Sequence, residues 1–260
     1  MPRISDSWPP DSAAACCDRI RPVAVFDRRS CAVHQPNFFP RLSTLAKLFQ
    51  ADVWVVLDDV QFNARDYQHR ARLAALDDPS AQRWLTIPVH RPAGRASRIN
   101  ELLLADPALS RRRVAQLTRQ YYRRGPHWAG TRDAVEEVLA AIELTDRLAD
   151  VAEVSTRTLL DRLGWHGTVV RSSTLTASTE RSLRLADLTE AVGAGTYLCG
   201  RGGARYLDER PFAQRGLTVH YPPPPELAGK DGLRAASALW AMAVLGPSAV
   251  RDEITATVGV

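Results

Sequence analysis

Lysine is nearly missing from a chain of 260 residues with a net charge of +5: Lys47 and Lys230 stand alone beside a large excess of arginine. No P-loop lysine motif exists, and no glycine-rich dinucleotide loop follows a first strand, so ATP and nicotinamide chemistry lose ground and no cofactor is expected. The four cysteines, Cys16, Cys17, Cys31 and Cys199, include no C-x-x-C spacing. Neither a zinc site nor a disulfide framework is suggested, and free thiols in a reducing compartment are expected. No window approaches the ~18 apolar residues that a membrane span requires. The start "MPRISDSWPPDSAAACCDRIRP" has acids and prolines where a signal peptide has its apolar centre. A cytoplasmic protein that does not bind membranes is the expectation.

With 45% hydrophobic residues, the chain has ample material for a full core. The arginine excess has two readings, codon bias or attraction to an anionic substrate, an acidic protein partner or nucleic acid. Nucleic acid is set aside: no binding motif is present, and "SRRR" and "YYRR" fit the polar face of a helix.

Residues 1–21, rich in Pro, Ser and Asp, read as a poorly ordered leader, with the domain over 22–250 and a tail over 251–260. "VAVF" and "CAVH" flank an "FDRRS" turn, giving one interrupted strand or a hairpin that ends at His34. "HQPNFFP" then forms a loop, because Pro36 and Pro40 push the residues before them out of the helical region, and "LSTLAKLFQ" resumes at helical spacing. "DVWVVLDD" is short and almost wholly apolar, the pattern of a strand buried on both faces, which puts Asp58 and Asp59 at its carboxyl end. "RWLTIPVH" reads as another strand. Between these two, Arg65, Asp66, Gln68, His69, Arg70 and Arg72 crowd into eight positions.

From about 106 to 164 the pattern is helical, with breaks at Gly125-Pro126 and around Thr145, a helical insertion. The strand "GTVVRSS", the helix "LRLADLTEAVG", the strand "TYLCG", a helix from Gly203 to about Arg215 and the strand "LTVHY" follow. Strands alternating with helices predict an α/β fold, a mostly parallel central sheet flanked by helices. Ligands of such sheets sit outside the carboxyl ends of the strands. Those ends supply His34, Asp58 with Asp59, Arg171 with Ser172, and Cys199 with Gly200.

"HQPNFFP", "ADVWVVLDDVQFNARDYQHRARL", "WLTIPV", "GTYLCGRGGARYLDERPF" and "ASALWAMAVLGP" resemble, in order, the landmarks of the WbqC-like family, over about Val33 to Gly246. The resemblance implies a role in small-molecule biosynthesis, of surface polysaccharide or natural product, without fixing one reaction. Residues matching the family pattern are His34, Gln35, Pro36, Asn37, Asp58, Asp59, Gln61, Phe62, Arg65, Arg70, Arg72, Tyr197, Gly200, Tyr206 and Leu207. The chain departs from it at Ala64, His69 and Ala71, where lysine and asparagine are usual, and at Cys199, where serine is usual. A changed substrate or a changed reaction is implied.

These residue types suit one chemistry. A histidine accepts a proton while a carboxylate orients it, so His34 with Asp59 and Asp58 is the candidate catalytic set. Arg65, Arg70 and Arg72 are suited to a phosphate, sulfate or carboxylate. Gln35, Asn37, Gln61, His69, Tyr197, Gly200 and Tyr206 complete the candidate substrate-binding set. Together they describe an enzyme, a transferase or a cyclase, in which an amine displaces an anionic group, between two molecules or by closing a nitrogen ring within one. The rival is a non-catalytic subunit that presents an anionic substrate, or an acidic carrier protein bearing it, to a partner enzyme. Local alternatives stand beside each role: Gln35 and Asn37 as helix caps, Asp59 in a structural pair with Arg65 or Arg70, and Cys199 as a small buried thiol.

Overall fold

The computed structural model describes residues 28–256, so the expected leader and "VAVF" lie outside the described residues. Strand β1 is Ser30–His34 and helix α1 is Leu42–Phe49. Strand β2, Val53–Val56, has every residue buried, as its unbroken apolar run predicts. Strand β3, Arg70–Ala74, pairs antiparallel with β4, Gln82–Thr86, outside the main sheet. The expected strand "RWLTIPVH" is two strands: β4 stops before Ile87, Pro88 supplies no N–H, and β5, Val89–His90, pairs with β6, Leu103–Leu104.

Three helices fill the expected helical stretch: α2 (Pro107–Tyr122), α3 (Trp128–Leu144) and α4 (Leu148–Arg162). The first starts where Asp106 accepts from the Leu109 N–H and Pro107 occupies the first turn, a position where a missing N–H costs nothing. Beyond them come β7 (Thr168–Arg171), α5 (Arg181–Ala191) and β8 (Thr196–Leu198). The expected helix from Gly203 to Arg215 is instead two single turns, α6 (Arg201–Ala204) and α7 (Arg210–Ala213). Gly202 and Gly203 weaken the first, and Pro211 starts the second afresh. Strand β9 (Thr218–His220) and helices α8 (Leu239–Val244) and α9 (Gly246–Ala256) close the fold, so residues 251–256 of the expected tail are helical.

The main sheet is five-stranded and wholly parallel, in the order β7-β2-β1-β8-β9. Helices cover both faces. Ala32, Trp54 and Val56 join α1, α4 and the other long helices in the larger core, whereas Cys31, Val33, Val53 and Val55 pack under α5 and α7. The three helices of 106–164 thus share the core of the sheet. Among the described residues no helix is long and apolar enough to cross a membrane.

Topology also marks a place on the sheet. From β1 the chain runs outward through α1 to β2 and on to β7; from β8 it runs the opposite way through α7 to β9. Strand order therefore reverses between β1 and β8, the position where open parallel sheets leave a crevice beyond their carboxyl ends. His34 ends β1, and Cys199 and Gly200 follow β8.

Candidate functional site

The loop 35–41 leaves β1 under tight restraint. Phe39 has φ 44°, a left-handed conformation that costs a bulky residue on the order of 1–3 kcal/mol. It is held by α4: the Phe39 N–H donates to Ser155 Oγ at 2.9 Å, and the Thr156 hydroxyl donates to the Asn37 carbonyl at 2.8 Å. Asn37 is thereby aimed back at β1, its Nδ2 3.1 Å from His34 Nε2.

On the ring's other side stands a residue that sequence reasoning missed. Lys47 of α1 is only 8% exposed, and its Nζ lies 3.3 Å from the Val33 carbonyl and 3.3 Å from His34 Nδ1. Burial, reinforced by the charges of Lys47 and Arg41, holds His34 well below the usual imidazole value, so the ring is neutral at neutral pH. Burial likewise draws Lys47 down to about 8. Among the described residues no carboxylate lies within ion-pair distance of Lys47, and the acidic groups nearest to bearing on it are the Cys199 and Cys31 thiols. Burial pushes both thiols up, Cys31 to about 11, so they stay uncharged. Cys199 is accordingly a small buried thiol, its Sγ 3.6 Å from the Gly200 carbonyl. A side chain on Gly200 would lie 3.5 Å from Lys47 Cδ, so this turn passes close to the lysine.

The next strand end is arranged differently. Asp58 is buried and accepts from Ser172 Oγ at 3.2 Å, the Ser173 N–H at 3.0 Å and Ser173 Oγ at 2.7 Å, tying β2 to the turn after β7. Asp59 shares the single Ser172 hydroxyl hydrogen with Asp58, its oxygen the nearer at 2.5 Å, and is paired with Arg184 of α5 at 2.5 Å. The expected pairing with Arg65 or Arg70 is thus replaced by Arg184, more than a hundred residues away in sequence. Burial pushes the Asp59 carboxyl up, but Ser172 and Arg184 outweigh it and hold it below its usual value. Beside them Arg171 bridges Asp150 at 2.7 Å and Glu153 at 2.8 Å.

Gln35 accepts from Gln68 Nε2 at 2.5 Å, and the Phe38 N–H donates to the Tyr67 carbonyl, so the polar segment 61–69 docks on the loop after β1. Within it Gln61 donates to the Arg95 carbonyl at 2.7 Å. A cleft of about 370 Å³ opens there, lined by Gln61, Phe62, Asn63, Ala64, Arg91 and Arg95. Its two arginines are further residues that sequence reasoning missed. His69 is buried edge-on against Phe62 with its Nδ1 unpartnered, and burial with Arg70 and Arg91 nearby takes it down to about 4.

The arginines of β3 owe their places to the pleat. Ala71 and Leu73 point into the core, while Arg70 and Arg72 flank Trp84 of β4, their guanidinium carbons 4.1 and 4.6 Å from its ring centre. Arg70 donates to the Asp66 carbonyl at 3.0 Å and also to the Arg65 carbonyl, which commits it to the loop. Arg65 is exposed. Arg41, which begins α1 and lies 4.7 Å from the Tyr67 ring, is the guanidinium whose charge bears on His34; its buried Nε has no hydrogen-bond partner. Tyr197 and Tyr206 stand apart from this set. Tyr197 is buried and stacked on Phe212 in the core of the opposite sheet face, and Tyr206 is 67% exposed, 5.4 Å from Arg181.

The model of the WbqC-like protein family matches residues 35–227. Similarity extends to a protein of Mycobacterium tuberculosis (strain ATCC 25618 / H37Rv) named "Uncharacterized protein Rv1507c", 24% identical over 217 residues that span 82% of this chain and 87% of that one. No solved structure matches the chain.

Proposed function

This chain belongs to the WbqC-like protein family, and from that premise we propose that it is a small-molecule biosynthetic enzyme in which an amine attacks an activated carbon and expels an anionic group such as sulfate or phosphate. One observation carries the reading: at the reversal point of the sheet, a buried lysine adjoins a neutral histidine, with no carboxylate among the described residues to compensate it. An unpaired buried cation is costly, and natural proteins keep such groups where a ligand completes them. Arg41 supplies the standing charge that receives the anion, Lys47 adds charge as the anion leaves, and unprotonated His34 supplies the nitrogen that receives a proton from the attacking amine. Asp58 and Asp59, bound to serines and to Arg184, hold the β2 edge in place beside it. Ring closure within one molecule and transfer between two remain equal forms of this chemistry.

The rival reading, a subunit that presents an anionic substrate or an acidic carrier to a partner enzyme, draws on the cleft at Arg91 and Arg95, where Ala64 brings no proton-transferring group. One experiment separates them. Purified protein is incubated with short aminoalkyl sulfate and phosphate monoesters, and free sulfate or phosphate is measured. Release that requires His34 supports the enzyme. Ester binding without release from any ester, at low ionic strength where surface electrostatics are strongest, turns the reading to the subunit.

A further inference from the structure

Lys47 has so far served only as a positive charge, but its contact with His34 constrains the chemistry further. A neutral imidazole carries one N–H and one lone pair, so Lys47 at Nδ1 and Asn37 at Nε2 cannot both donate to it. Two states satisfy the geometry. With Lys47 as an ammonium, which only donates, Nδ1 must offer its lone pair; the hydrogen is then on Nε2, and Asn37 turns its amide oxygen to it. With Lys47 as a free amine, Nδ1–H donates to Nζ, and Nε2 opens its lone pair toward Asn37 Nδ2. Only the second state presents a base at Nε2.

We propose that Lys47 is the terminal proton acceptor behind His34: the proton of the attacking amine enters at Nε2, and the proton on Nδ1 leaves to the Lys47 amine. The inference rests on the displacement reading above. As the C–N bond forms, the bond from carbon to the leaving oxygen breaks with its electron pair on the anion. The amine proton passes to Nε2 where Asn37 gives way, and the Nδ1 proton passes to Nζ. Lys47 ends as an ammonium, so positive charge arrives at the strand edge as the anion departs. The groups that bear on the pair are Cys31 of β1 and Cys199 after β8, whose thiols stay neutral, and the Arg41 guanidinium at the start of α1. Lys47 therefore changes charge with no neighbouring carboxylate among the described residues to compensate, and its descent to about 8 puts the exchange within reach of neutral pH. Lys47 acts through His34 and is a positioning and relay residue.

The scarcity of lysine makes the test direct. Protein carrying isotope-labelled histidine rings and lysine side chains is titrated by NMR from about pH 6 to about pH 10, without substrate. His34 is assigned by difference with His34→Gln, and Lys47 has only Lys230 to be told from. The expected result is that the His34 hydrogen sits on Nε2 at low pH and moves to Nδ1 with the midpoint of Lys47, about 8. Lys47→Met should abolish that midpoint. A single His34 tautomer across the whole range, or a midpoint that survives in Lys47→Met, overturns the relay; so does a Lys47 that titrates near its ordinary 10.5 in the wild type, a reading that needs no variant to fold. If histidine and lysine titrate together but no ester releases its anion, the relay stands and the displacement reading falls. If anion is released while the tautomer never changes, the displacement stands with another base.

Discussion

Two neighbouring strand ends handle buried charge in opposite ways. At the end of β2 every charge is answered: Asp58 by two serines and an N–H, Asp59 by Ser172 and Arg184, and next to them Arg171 by Asp150 and Glu153. At the end of β1 the same sheet buries Lys47 against a carbonyl and a neutral imidazole. The first arrangement spends its polar groups on holding strands together. The second leaves its cation, among the described residues, without a carboxylate, which destabilises the protein whenever Lys47 is charged. The lesson is that a carboxylate at a strand end is weak evidence of catalysis until its partners are known.

The contrast breaks most sharply at Asp58. Asp58→Ala should lower the unfolding free energy by about 3 kcal/mol or more, because it strands buried donors that now bond to a charge; urea denaturation measures it. A loss of only a few tenths would mean that the β2 edge is not held by this residue. Lys47→Met should go the other way. The folded lysine titrates near 8 and the unfolded one near 10.5, so the unfolded state binds more protons between them and wild-type stability rises with pH over that window. Below it Lys47 costs on the order of 3 kcal/mol as an upper figure, and Lys47→Met should be the more stable protein at pH 7, with a flatter pH dependence.

His34→Ala is expected to cost less stability than Asp58→Ala, since Lys47 keeps the Val33 carbonyl, while cutting anion release by about 100-fold, the usual size of a general-base contribution. Equal losses in both would move His34 to the structural side of the comparison. The smallest effect belongs to Asp59. Its folded carboxyl titrates below the ordinary value of 3.8, so its contribution is full above that value and is lost as pH falls through the lower, folded one. Asp59→Asn should remove that acid limb and cost about 1 kcal/mol at pH 7, read from thermal unfolding at matched salt.

Local pattern carried the sheet a long way. "VWVV" had the pattern of a strand buried on both faces, and alternation of strands with helices implied parallel pairing, which in turn put His34, Asp58, Asp59, Ser172 and Gly200 on one edge. The site was harder to read. Tyr197 matches a family position yet stacks on Phe212, because a strand residue's face is set by register and not by composition. Arg70 and Arg72 read as anion-binding groups, but one faces loop carbonyls and both face Trp84, which only the β3–β4 pairing brings between them.

Chain-local chemistry decided what each segment is: apolar runs and their breaks depend on neighbours a few residues apart, and so do the prolines that end the loop after His34. Partnership was decided elsewhere. Asp59 meets Arg184 through packing of elements distant in the chain, and Lys47 meets His34 because α1 docks back on the end of β1, under the turn at Gly200. Helical spacing in "LSTLAKLFQ" did not set Lys47 apart, and its rarity in an arginine-rich chain was its single signal. Whether a charge is paired, buried or left open depends on the desolvation and the neighbours that tertiary structure imposes, and no periodicity in the sequence encodes either.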